Sequence, residues 1–197
     1  MFARVTIRAS DPEASERFYD TVLPTLGIDR ERSEFAILPA TGEEPVTRGL
    51  HIGFRAPSRG EVDEFWRTGT AAGYRDDGAP GPRPQYTEDY YGSFLLDPDG
   101  NSAEAAHHGA MRGSGAVDHL WIRVSDVAAS KRFYEGVASQ AGFRLGADTP
   151  ERTQFLGEGG SFSLVAGRPS EHVHMAFRGP AAGVLPDPDG NRVEIVS

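Results

Sequence analysis

The sequence predicts an α+β protein built from tandem strand–helix–strands units, with the second copy truncated. Three observations carry that prediction. Asp97-Pro98-Asp99-Gly100-Asn101 followed by Glu104 recurs as Asp187-Pro188-Asp189-Gly190-Asn191 followed by Glu194, each a hairpin turn that enters a strand. The copies also match at their starts. Ile7-Arg8-Ala9-Ser10-Asp11 answers to Ile122-Arg123-Val124-Ser125-Asp126, and Ala14, Arg17, Phe18, Tyr19 and Val22 answer to Ala129, Arg132, Phe133, Tyr134 and Val137. Finally, the second copy is shorter, and the loss falls between Phe177 and Pro186.

In chain order, a strand-like N-terminus leads to a helix. Ser10 with Glu13 has capping-box spacing, Pro12 suits the first turn, and residues 14, 18 and 22 form one stripe. A strand from Gly49 to Arg55 precedes a second helix that starts at Ser58 and Glu61 and shows Val62, Phe65, Trp66 and Gly69 on one face. The Pro/Gly-rich stretch from Gly78 to Pro84, with Tyr86, Tyr90 and Tyr91, has the composition of a lid or a long loop. The expected organisation is a complete first domain over residues 1–108, a Gly/Ser-punctuated linker over 109–116 and a second domain over 117–197. What the second copy lacks corresponds to the Ser58 helix and the loop after it. The face left bare is expected to be covered by the first copy or by a partner subunit.

Bulk properties narrow the function classes. The 197 residues carry a net charge of −9, with 25% charged and 38% apolar residues, as an ordinary globular protein does. The acidic balance argues against nucleic acid as a partner. With no cysteine, disulfides, thiolate metal sites and thiol nucleophiles are excluded. No apolar run approaches the roughly 18 residues of a membrane span, and the N-terminus lacks a signal-peptide core. A cytoplasmic protein is the expectation.

Reading strands with period two places the chemistry. Leu120, Ile122 and Val124 form one face, leaving His119, Trp121 and Arg123 on the other; Met175 and Phe177 leave His174 opposite; Val193 and Ile195 leave Glu194 opposite. Two imidazoles and a carboxylate are the donors of a facial triad on a divalent metal. The same positions in copy one are Arg4, His51 and Glu104. A fixed cation at about 4 Å costs about 4 kcal/mol at an effective dielectric of about 20 even against a single charge. Copy one is therefore expected to be metal-free, with Arg4 paired to Glu104. Arg4, Arg8 and Arg55 share a face with His51 and Glu104, which suits a carboxylate or phosphate ligand. The plainer alternative is a set of hydrogen-bonded strand histidines and charge-balancing arginines.

The repeated units, Ser-Asp before the first helix with Phe-Tyr at its end, and the Asp-Pro-Asp-Gly-Asn turn before a strand Glu resemble the vicinal oxygen chelate superfamily. That group includes glyoxalase I, extradiol dioxygenases, fosfomycin-resistance enzymes and bleomycin-binding proteins. The resemblance implies tandem βαβββ modules, two complete ones over residues 1–108 and a shortened pair over 117–197. It carries the metal ligands onto His119, His174 and Glu194, and it implies a divalent ion (Fe, Mn, Ni or Zn). The expected function is a lyase, isomerase or dioxygenase acting on a small molecule with adjacent oxygens. Glu194 and Glu104 are the candidate catalytic groups, and Arg4, Arg8, His51, Arg55, Tyr91 and Trp121 the candidate substrate-binding ones. The alternative is a metal-independent protein that binds a small molecule, as bleomycin-binding relatives do. No carboxylate stands around Ser161-Phe162-Ser163-Leu164-Val165, where the resemblance to glyoxalase I requires a fourth ligand. A monomeric pseudo-dimer and a homodimer are both compatible with the tandem copies.

Overall fold

A computed structural model describes residues 1–110, 113–180 and 182–197; part of the expected linker, residues 111 and 112, lies outside the described residues. The first unit is β1 (Phe2–Ala9), α1 (Pro12–Val22), two short 3₁₀ turns (Leu23–Leu26 and Arg30–Arg32) and β2 (Phe35–Pro39). The second is β3 (His51–Arg55), α2 (Arg59–Ala71), β4 (Arg75–Pro82), β5 (Tyr91–Leu96) and β6 (Ser102–His107). The third is β7 (Val117–Val124), α3 (Val127–Ala141), β8 (Arg144–Asp148), β9 (Arg152–Gly157) and β10 (Gly160–Ala166). The last is β11 (His174–Arg178), β12 (Gly183–Pro186) and β13 (Arg192–Val196).

The units pair across the copies rather than within them. An eight-stranded sheet runs β4-β5-β6-β3-β7-β10-β9-β8, and a five-stranded sheet runs β12-β13-β11-β1-β2. The expected boundary between residues 108 and 117 therefore separates the copies in sequence but not in the sheets. The five strands correspond to the central five of the eight, because β1 pairs parallel with β2 as β7 does with β10. The expectation of two full units in copy one needs correction: its first unit is only strand–helix–strand, with the 3₁₀ turns standing where β8 and β9 stand in copy two. The shortening of copy two is as expected, with no counterpart of α2 or β4 among the described residues. It leaves Val184 and Leu185 on edge strand β12 50% and 45% exposed.

The core joins the two sheets and the helices. Phe35 meets Phe54 at 5.2 Å and Phe162 meets Phe177 at 5.7 Å, each pair bridging one sheet to the other. Fully burying such a side chain stabilises the fold by about 1.5–3 kcal/mol.

The repeated turn ties these layers together. Asp97 Oδ1 accepts from the amides of Asp99 and Asn101, and its Oδ2 from Tyr19 Oη and Asn101 Nδ2. Asp187 does the same with Asp189, Asn191 and Tyr134. Ser10, expected to cap α1, instead donates from its hydroxyl to Asp99 at 2.5 Å, and Asp11 caps the helix by accepting from Ala14. The motif thus locks each helix, through its entry Ser and its Tyr, onto a hairpin in the other sheet.

Candidate metal centre

Three strands of the eight-stranded sheet bring a donor each to one point: His51 opens β3, Glu104 lies on β6 and His119 on β7. Gly53 pairs with both Glu104 and His119 in register. His51 Nε2 is 2.9 Å from Glu104 Oε2 and 3.3 Å from His119 Nε2, and His119 Nε2 is 3.1 Å from the same oxygen. Metal–donor bonds of about 2.0–2.2 Å place neighbouring octahedral ligands about 3 Å apart, so the triangle matches one face of such a site.

The surrounding hydrogen bonds decide which ring nitrogens point inward. Ser102 Oγ gives its proton to Asp77 Oδ2 at 2.7 Å, so towards His51 Nδ1, 3.2 Å away, it can only accept. Asp118 Oδ2 accepts from His119 Nδ1 at 3.0 Å. Both rings then carry Nδ1–H and turn Nε2 lone pairs to the centre. Tyr90 Oη donates to Glu104 Oε1 at 2.7 Å, leaving Oε2 facing the imidazoles. Three lone-pair atoms this close demand a shared cation, either a proton or a metal ion. Burial disfavours charge on His119, but Asp118 and Glu104 outweigh it and raise its pKa to about 9. Burial likewise opposes charge on Glu104, yet sharing a proton with the His119 and His51 imidazoles brings it down to about 2. A proton satisfies one nitrogen; a divalent ion satisfies all three atoms, and the residues present fit one.

Backbone features that sequence reasoning missed make room for this cluster. The β3–β7 register slips between Gly53 and Phe54, so Asp118 is an extra residue between the partners Val117 and His119; such a bulge lets two successive side chains aim the same way. A Cβ at Gly53 would overlap the His119 ring, and one at Gly92 would crowd Glu104 Oε1. His108 also belongs here: its Nε2 bonds Asp118 Oδ2 at 2.8 Å, while its Nδ1 is buried without a partner among the described residues.

The expected ligand set of His119, His174 and Glu194 is not brought together. His174 and Glu194 contact each other at 2.9 Å in the five-stranded sheet, because β11 pairs with β1 and not with β7. Where His119 has its counterpart, that sheet offers Arg4, paired with Ala176, so Arg4 does not reach Glu104. Arg8 is in the same sheet and pairs with Glu44. Arg55 is buried behind the centre, and four of its five N–H donors are used on Asp118 and on the carbonyls of Gly115, Val117 and Gly159. Tyr91 points to the helix side, where it donates to Asp63 at 2.9 Å; Tyr90 takes the inward position. His172 sits at the positive-φ position filled by Gly49 in copy one. Trp121 does line the cleft, a cavity of about 960 Å³ that also exposes His51, Glu104 and His119.

The profile described as the Glyoxalase/Bleomycin resistance protein/Dioxygenase superfamily matches residues 2–105, more than half the chain, and the chain belongs to that superfamily. Among solved structures, glyoxalase I from Zea mays aligns over 100% of this chain and 92% of its own, with a TM-score of 0.67 and 16% identity. A putative dioxygenase from Bacillus subtilis subsp. subtilis str. 168 aligns over 98% and 84%, with a TM-score of 0.63 and 12% identity. At such identities these two likenesses speak for the fold alone. A glyoxalase/bleomycin resistance protein from Albidiferax ferrireducens T118 shares 33% identity over 54% of this chain and 98% of its own, with a TM-score of 0.47. No curated protein sequence matches. No helix among the described residues is long and apolar enough to cross a membrane.

Proposed function

We propose that the protein is a metal-dependent enzyme that acts on a small molecule with two adjacent oxygens, at a centre held by His51, Glu104 and His119. The observation that supports this is the convergence of two Nε2 atoms and one carboxylate oxygen within 2.9–3.3 Å, with each imidazole oriented by a hydrogen bond at Nδ1. A divalent ion there would supply Lewis acidity and open coordination positions for adjacent oxygens. On β10, Ser161 and Ser163 pair with His119 and Trp121, so no fourth carboxylate joins from that strand. A three-donor facial set favours the ring-cleaving dioxygenase type over a glyoxalase I-type isomerase or lyase.

The protein's own groups have distinct tasks in this reading. Asp118 and the Asp77–Ser102 pair keep the two imidazoles in one tautomer, and Tyr90 keeps Glu104 turned inward. Trp121 and Phe94 wall the cleft with flat apolar surface, and Tyr86, 5.6 Å from Trp121, covers it from the β4–β5 loop.

Elemental analysis of purified wild type and single variants tests this. One divalent ion per chain is expected in wild type and in His174→Ala, and its loss in His51→Ala and His119→Ala. Retention of the ion in His119→Ala, or its loss in His174→Ala, would put the centre elsewhere. Ligand binding with no metal in any preparation would favour the metal-independent binding protein.

A further inference from the structure

The protein carries a net charge of −9, yet three arginines, Arg83, Arg123 and Arg152, line the cleft. The carboxylates that reach its wall are already committed: Glu104 and Asp118 to imidazoles, Asp77 to Ser102. Two of the arginines likewise have no carboxylate partner among the described residues and bond only to backbone carbonyls. Arg83 donates to the carbonyls of Pro82 and Ala79, and Arg123 to that of Gly49.

Arg152, unlike both, uses no backbone carbonyl; a hydroxyl and an indole face hold its guanidinium. Among the described residues no carboxylate lies within ion-pair reach of it, and only its Nε is used, on Ser163 Oγ at 3.2 Å. Its guanidinium carbon lies 4.7 Å from the centre of the Trp121 ring. That stack and the Ser163 bond fix the plane of the group and leave both terminal nitrogens without acceptors. A half-buried cation without a counter-charge is costly, and burial here presses the guanidinium pKa down. The far side of Trp121 leads to the metal centre, with the His51 ring 6.3 Å from the indole. The indole therefore forms a floor with the triad at one end and an unneutralised planar fork at the other.

We infer that Arg152 is the subsite for a carboxylate of the ligand, whose flat body lies in the cleft alongside Trp121. A guanidinium with two adjacent free donors matches a carboxylate in bidentate fashion, at twice the strength of neutral hydrogen bonds. The substrate class is then a planar, aromatic or conjugated acid, with its adjacent oxygens at the end opposite the carboxylate. The position of those oxygens rests on the function proposed above; the carboxylate subsite stands on Arg152 and Trp121 alone.

The test uses a probe without adjacent oxygens, so that it is independent of metal. 3-Phenylpropanoate and its neutral amide are titrated into protein as purified and into protein stripped by chelator. Binding is followed through the indole N–H signal of Trp121, with Trp66, bonded to Asp76 on the helix side, as the internal reference. The acid is expected to bind at least about tenfold more tightly than the amide in both preparations, the gain expected for a charge-assisted bidentate pair. Arg152→Gln should bring the ratio close to one while the amide affinity stays unchanged, and Arg152→Lys should keep part of the preference. Equal binding of acid and amide, a preference that survives Arg152→Gln, or no movement of the Trp121 signal overturns the inference. Failure of the metal assignment would show instead in the elemental analysis and leave this ratio intact.

Discussion

At the scale of single residues, the two sheets hold one complete constellation and one remnant. The remnant keeps His174 and Glu194, but every supporting position has changed. Where the complete centre has Asp118, Gly53, Tyr90, Gly92 and Ser102, the other copy has Ala3, Ala176, Pro180, Ala182 and Arg192. The two glycines are the most informative, because each gives a donor the volume it occupies. Gly53→Ala would push the His119 ring off Asp118 and out of the triangle. Metal affinity should fall at least about 10–100-fold, the range seen when groups that orient ligands are lost. In urea titrations, metal at about 100 times its wild-type Kd should stabilise wild type by about 2.7 kcal/mol and Gly53→Ala by only about 0.4–1.4 kcal/mol. Ala176→Gly in the remnant should not alter the metal response, and an equal loss there would refute the assignment. Of the three donors only His119 is legible as a ligand through period two; His51 and Glu104 read as substrate-binding and catalytic groups of a copy expected to be metal-free. Gly53 and Asp118 are not legible, since a hollow and a bulge depend on what the opposite strand does.

At the scale of elements, the repeated turn serves architecture. Asp97 is buried and accepts four hydrogen bonds, while Asn101 Oδ1 accepts from the Leu50 amide next to His51. Asp97→Ala orphans several buried donors at once and should cost about 2–4 kcal/mol. Asp187→Ala, with the same bonding pattern, should cost a similar amount, read as a lower urea midpoint at constant slope. Since Asn101 positions β3, the Asp97 change should also weaken metal binding, whereas the Asp187 change should not. Equal metal binding in both variants would separate the turn from the site. The repeat announced this fold because its turn chemistry is local: Asp, Gly and Asn act within five residues of one another. Which sheet each hairpin enters is a non-local matter, and sequence reading missed it. It kept His119 with His174 because they share a copy, whereas the strand ladders join β7 to β3.

At the scale of the whole molecule, that crossing makes the two copies interdependent. The β3–β7 and β1–β11 ladders are the seams of the two sheets, and the proposed metal centre straddles the first, with His51 and Glu104 before it and His119 after it. Cut apart between residues 110 and 113, each half would expose two strand edges and an apolar face, the condition that drives association with another chain. Fragment 1–110 lacks His119 and fragment 113–197 lacks His51 and Glu104, so neither holds the triad. Expressed separately, each fragment should be unfolded or self-associated and bind no ion at the wild-type affinity. Mixed in equal amounts after denaturant removal, they should form a 1:1 complex that recovers both sheets and the metal. Sedimentation with circular dichroism reads the assembly, and elemental analysis reads the centre. A folded monomer of fragment 1–110 that binds the ion alone would show that each copy is a closed unit, contrary to the strand pairing. Recovery that fails in a His119→Ala version of the second fragment, while the 1:1 complex still forms, would place the metal on the seam itself.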